Sequence, residues 1–179
     1  MGKATQDLKN EHDAILHVLN IVDAMLVAES KTDVEMLRYY DELVGFLKIF
    51  ADKCHHGKEE GFLFTEMVKL GVQNEGGPIG VMLHEHQLGR EYIANMSTAV
   101  ELKDRRGFNK AVIQYRDLLR NHIEKENTII FVWADQLIDD IWQADLFKQF
   151  EEHEEKVIGH GVHEKLHAMI DSWSKTFEK

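Results

Sequence analysis

The chain has 179 residues, with 21 Lys and Arg against 32 Asp and Glu, a formal net charge of −11. That balance argues against nucleic acid or an anionic membrane as the main partner, since either would select a basic footprint. The longest apolar runs are short and broken by charge, so no membrane span is expected, and the N-terminal MGKATQDLKN lacks the pattern of a signal peptide.

A single proline and 12 glycines leave long uninterrupted segments, the composition of an all-helical protein. One cysteine, Cys54, rules out an internal disulfide and fits a reducing, cytoplasmic setting. Eleven histidines exceed ordinary usage. Their placement decides what the chain does.

The apolar spacing predicts a first helix from about Thr5 to Ala28, with a seam of Leu8, Ile15, Leu19, Val22 and Leu26. His12 fills the slot between Leu8 and Ile15. A polar connection, Glu29–Asp33, follows, and Thr32 with Glu35 is a capping-box signature for a second helix. That helix is expected to reach about Leu70. Its seam runs Ile49, His56, Glu60, Leu63, Met67 and Leu70, so the histidine and the glutamate lie one turn apart on an apolar face. His55 and Glu59 are expected to lie off that face.

Residues 71–78, GVQNEGGP, form the clearest loop, and Pro78 suits the first position of a third helix. There the seam is Ile79, Met82, His86, Gly89, Ile93, Met96 and Val100. After a charged connection comes the most regular seam, Phe108, Val112, Tyr115, Leu119, His122, Glu126, Ile129 and Trp133. Beyond Asp139–Asp140 the chain predicts one broken helix or two short ones, with a break at residues 159–161. The expected architecture is an up-down-up-down four-helix bundle over 1–140 with a C-terminal helical appendage, 141–179, packed on it.

The halves repeat. LKNEHDAI from Leu8 matches MLHEHQLG from Met82, and HGKEEGFLF from His56 matches HIEKENTII from His122. Antiparallel packing of four helices would bring His12, His56, Glu60, His86, His122 and Glu126 into one core layer. A single histidine on an apolar seam is more often a core residue bonded to a neighbour. Four on four seams, two with a carboxylate at i+4, would leave several buried groups unsatisfied without a cation. Imidazole with carboxylate suits iron, zinc or manganese, and this set suits two ions.

The paired Glu-His and His-x-x-x-Glu motifs resemble the hemerythrin-like (HHE cation-binding) family over about residues 5–138. The resemblance implies a non-haem di-iron centre, two Fe ions with oxo and carboxylate bridges. It makes the six residues the ligands, with Glu60 and Glu126 bridging. Oxygen-carrying members have His-x-x-x-His on the third helix, whereas here the positions four before and after His86 are Met82 and Arg90. O2 is therefore expected to oxidise the reduced protein and not to be carried reversibly.

The leading expectation is O2 binding, sensing or iron handling, with O2, another small diatomic or peroxide as the ligand. A di-iron redox enzyme acting on peroxide, O2 or NO is the second reading, and a metal-free helical interaction domain the third. His163-Glu164-Lys165-Leu166-His167 matches H-E-x-x-H, a zinc pattern that chance explains well in a chain so rich in His and Glu. His84, His17 and His153 read as surface residues, and Cys54 as a small core residue.

Overall fold

A computed structural model describes residues 1–28, 31–159 and 161–178, without the side chain of residue 163. Glu29 and Ser30 of the expected connection, and His160, lie outside the described residues. All regular structure within them is helical. Helix α1 spans Lys3–Leu26, two residues ahead of the predicted limits at each end.

The second rod is continuous but not uniform. It begins as α2, Asp33–Phe46, passes through two π-helical stretches, π1 Leu47–His56 and π2 Glu59–Leu63, and ends as α3, Phe64–Lys69. Helix α4 is Pro78–Glu101 and α5 is Arg105–Lys125, which continues through π3, Glu126–Ile130, into α6, Phe131–Leu137. The C-terminal part forms two helices, α7 Asp140–Val157 and α8 Val162–Phe177.

Local chemistry explains the ends. Thr32 accepts the Glu35 N–H at 3.3 Å while the Glu35 carboxylate accepts the Thr32 N–H at 2.9 Å, closing the capping box. Gly71, at φ 99°, ends the second rod, with the Val72 N–H donating to the Met67 carbonyl. Asp139 starts α7 by accepting the Ile141 and Trp142 N–H groups at 3.0 and 2.9 Å. Asp139→Ala is expected to lower stability by about 1 kcal/mol, measured by urea unfolding, because these donors lose their acceptor.

Cross-helix contacts run in opposite order along each pair of rods. Thr5 meets Asp135, His12 meets Asn127 and Asp23 meets Arg116 between α1 and the α5–α6 rod. Lys48 meets Ser97, Asp52 meets Arg90 and Glu60 meets His86 between the second rod and α4. Each of these two pairs of rods is therefore antiparallel.

Two apolar clusters fill the molecule. One gathers Ile15, Leu19, Phe46, Ile93, Phe108 and Leu119, and α8 adds Leu166, Ile170 and Trp173 to it. The other gathers Leu8, Leu63, Met67, Ile79, Met82 and Phe131, and α7 adds Leu146 and Phe150. Along each rod the segment between the two clusters carries buried histidines or glutamates: His12, then His55, His56 and Glu59, then His86, then His122 and Glu126. No helix among the described residues is long and apolar enough to cross a membrane.

Candidate metal centre

Regular helical spacing places His12 on α1, His86 on α4 and His122 on α5 between the two apolar clusters. Each is almost wholly buried. The second rod contributes differently. At the end of π1 the Gly57 N–H donates to the Asp52 carbonyl, five residues back, and at the end of π2 the Phe64 N–H does the same to Glu59. Such i→i+5 turns are wider than α-helical ones, so each residue turns the chain through a smaller angle. Adjacent His55 and His56 are consequently both buried, and Glu59 shares the interior with them.

Two groups of potential ligand atoms result. His56, Glu59, His86 and His122 form one, and His12, His55, Glu59 and Glu126 form the other, with all atoms of a group within 4.8 Å. Glu59 belongs to both. Its Oε1 lies 3.5 Å from His55 Nε2 and its Oε2 lies 3.4 Å from His86 Nε2. Glu126 Oε2 lies 3.2 Å from His12 Nε2 and 3.1 Å from His122 Nε2, so this carboxylate also spans the groups.

Of the six residues the sequence singled out, the structure brings His12, His56, His86, His122 and Glu126 together. It places Glu60 outside. The Glu60 side chain is 30% exposed, and its Oε1 accepts from His86 Nδ1 at 2.7 Å and from Arg90 at 2.5 Å. The wide turns rotate Glu59 inward in its place and bring in His55, which regular spacing put off the face. The sequence carried that signal in latent form. HHGKEE contains two interleaved His-x-x-x-Glu pairs, and α-helical periodicity cannot choose between them.

Outward-facing partners fix four of the five rings. Nδ1 of His12 bonds Asn127 Oδ1 at 2.9 Å, and Nδ1 of His55 bonds Glu11 Oε2 at 3.0 Å. Nδ1 of His86 bonds Glu60, and Nδ1 of His122 bonds Glu85 Oε2 at 2.8 Å, with Lys125 on the same carboxylate. A ring that gives its Nδ1–H outward keeps the Nε2 lone pair for the interior, the arrangement usual for a metal-ligating histidine.

The interior atoms are left in conflict. His12 Nε2, both nitrogens of His56 and all four oxygens of Glu59 and Glu126 are buried without an aligned hydrogen-bond partner. His86 Nε2 faces His122 Nε2 at 3.0 Å, two atoms that cannot both present lone pairs there. Burial first, then the charge of Glu126, pushes the Glu59 carboxyl well above its ordinary range. Burial acts the same way on Glu126, but His122, His12 and His86 outweigh it and hold that carboxyl low. Burial lowers His122, yet Glu126 and Glu85 together raise it to about 9. Cations among these oxygens and nitrogens would relieve these conflicts at all but one nitrogen of His56. The residues fit a metal.

A family model for the hemerythrin HHE cation-binding domain matches residues 3–134. The chain belongs to the hemerythrin HHE family. No curated protein and no solved structure matches it. The matched span holds every residue of both groups in this hemerythrin domain and ends before α7. The domain thus brings five imidazoles to the layer, two of them, His55 and His56, from the second rod.

Other candidates fall outside. His84 and His167 are exposed, His17 pairs with Glu178 at 3.0 Å, and His153 donates to the Lys53 carbonyl. Glu11, Cys54 and Glu154 also lie within 4.8 Å of one another, but the Lys58 ammonium stands there, 2.9 Å from Glu11 and 3.0 Å from Glu154. Burial pushes the Cys54 thiol far up, which keeps it protonated and inert.

Proposed function

We propose that this hemerythrin-family chain is a non-haem di-iron protein that binds O2 or a similarly small ligand. His56, His86 and His122 would hold one iron, His12 and His55 the other, with Glu59 and Glu126 spanning both. The observation that carries this reading is the set of buried, unpartnered ligand atoms facing one another while the opposite ring nitrogens are hydrogen-bonded outward. A bound iron pair supplies a redox-active centre with coordination positions open to a diatomic.

The protein's own residues set the terms. Three imidazoles on one side and two on the other make the His12–His55 half the less filled. Phe131 stacks on His12 at 5.3 Å and Phe64 on His86 at 5.9 Å, walls that exclude water. The fifth imidazole, His55, also removes the ground on which irreversible oxidation was expected, since the second rod supplies the donor that α4 lacks. Reversible binding is the better reading.

Iron loading under nitrogen followed by metal analysis is expected to give about two irons per chain, as carboxylate-histidine bundles of this kind hold. The reduced protein should then take up O2 and return it on degassing. Folded protein that takes up no iron or other divalent metal would overturn the assignment. Sustained consumption of O2 or peroxide with reductant supplied would make the redox enzyme the correct reading.

A further inference from the structure

We propose that Arg90 is a positioning residue of this centre, one guanidinium that holds both the carboxylate orienting His86 and the carboxylate nearest His56. The inference rests on the reading that His56 and His86 hold a metal. Arg90 stands on α4 one turn after His86 and reaches toward the second rod. Its Nε donates to Asp52 Oδ1 at 2.8 Å, and its Nη2 donates to Glu60 Oε1 at 2.5 Å.

Each carboxylate oxygen has a second task. Glu60 Oε1 also accepts the Nδ1–H of His86 at 2.7 Å, and Asp52 Oδ1 lies 3.6 Å from His56 Nδ1. The two imidazoles are themselves stacked, with centroids 3.8 Å apart and planes 15° from parallel. The contacts therefore close a ring, His86 to Glu60 to Arg90 to Asp52 to His56 and back through the stacked faces. A planar fork with fixed donor directions can grip two carboxylates on separate edges, whereas an ammonium on a flexible stem cannot hold both in register.

What the grip prevents is specific. Glu60 and Asp52 are each partly open to water. Without Arg90, Glu60 can swing into solvent and release His86 Nδ1, and the ring is then free to turn or change tautomer. Arg90 itself is about one-third exposed, on the floor of a 440 Å³ surface groove lined by Lys48, Ile93 and Ser97. Replacing it disturbs little core. The effect should therefore fall on the ligands and spare the fold.

The test uses the full chain with Co²⁺, which gives a ligand-field spectrum without air oxidation. Arg90→Lys and Arg90→Gln are each expected to weaken one of the two bound Co²⁺ ions by about 10- to 100-fold in chelator competition, the usual scale for losing such a supporting contact. The other ion should keep its affinity. The ligand-field band of the weakened site should shift, and the melting temperature of the metal-free protein should stay within a few degrees. Failure of Lys to rescue is part of the expected result. Wild-type affinity and spectrum in both variants would overturn the role of Arg90 alone. Equal weakening of both sites with a collapsed melting temperature would also overturn it, by making the residue merely structural. Wild-type protein that binds no Co²⁺ would overturn the metal reading and the proposal with it. Should the Arg90 variants not fold, Glu60→Ala opens the same ring from its exposed side and is expected to weaken the same single ion.

Discussion

Glu59→Ala is expected to abolish binding of the metal pair, while Glu60→Ala keeps both ions and weakens one. Glu59 is fully buried and offers one oxygen to each group of ligands, so its loss removes a donor from both ions and the bridge between them. The Glu60 side chain bonds the outer nitrogen of His86 and the Arg90 guanidinium. Its loss is that of a supporting contact, about 10- to 100-fold in affinity for one ion. Metal analysis after gel filtration, with chelator competition, separates the two results. The metal-free Glu59→Ala protein should remain folded, because the apolar clusters on either side are untouched and an unsatisfied buried carboxyl has gone. A protein that loses both ions with Glu60→Ala and none with Glu59→Ala would restore the α-helical reading of the second rod.

The largest effect on stability is expected from Lys58→Met. Lys58 is only 2% exposed, and its ammonium lies 3.1 Å from Asp7, 2.9 Å from Glu11 and 3.0 Å from Glu154. Burial works against its charge, but Glu11 and then Asp7 outweigh it and raise its pKa. Methionine fills much the same space and leaves these carboxylates facing one another without a cation. Breaking a buried ion network from one side costs about 3–5 kcal/mol, or about 10 °C in melting temperature for a chain of this length. Thermal and urea unfolding measure it. A loss below about 1 kcal/mol would mean that water reaches the carboxylates and compensates them. Since Glu11 also holds His55 Nδ1, the metal-free and metal-loaded proteins should be measured side by side.

The all-α fold was legible because the chain obeys helical rules almost everywhere. The Thr32–Glu35 box, Pro78 opening α4 and the loop after Leu70 are local signals, and most of the seams name their own inward faces. Past π3, however, the expected Ile129 and Trp133 are exposed and Ile130 and Ala134 are buried in their place. The inward placement of His12, His86, His122 and Glu126 was legible for the same reason, since each interrupts an otherwise apolar 4-3 spacing. The second rod broke the rule. Its hydrogen bonds skip to i+5 in the stretches Leu47–His56 and Glu59–Leu63, and no periodicity argument built on the α-helix can follow a face through that change. Glu59 and His55 were hidden by that shift, and Glu60 was promoted by it. The support given by Glu11, Glu85, Asn127 and Arg90 was also out of reach, because each partner comes from a contact that sequence spacing does not encode.

The widened stretch ending at His56 has the arithmetic of a one-residue insertion absorbed without breaking a helix. Shorten it by one residue and the rod can run as plain α-helix, showing the interior one histidine where it now shows two. Across the core, α4 has the opposite account: the place one turn beyond His86, where a further imidazole would serve, is taken by Arg90. Within this chain the second rod supplies two imidazoles to the layer and α4 supplies one. A shift of hydrogen-bond register in one rod can thus supply an imidazole that another rod lacks, which leaves the Arg90 position free for other work.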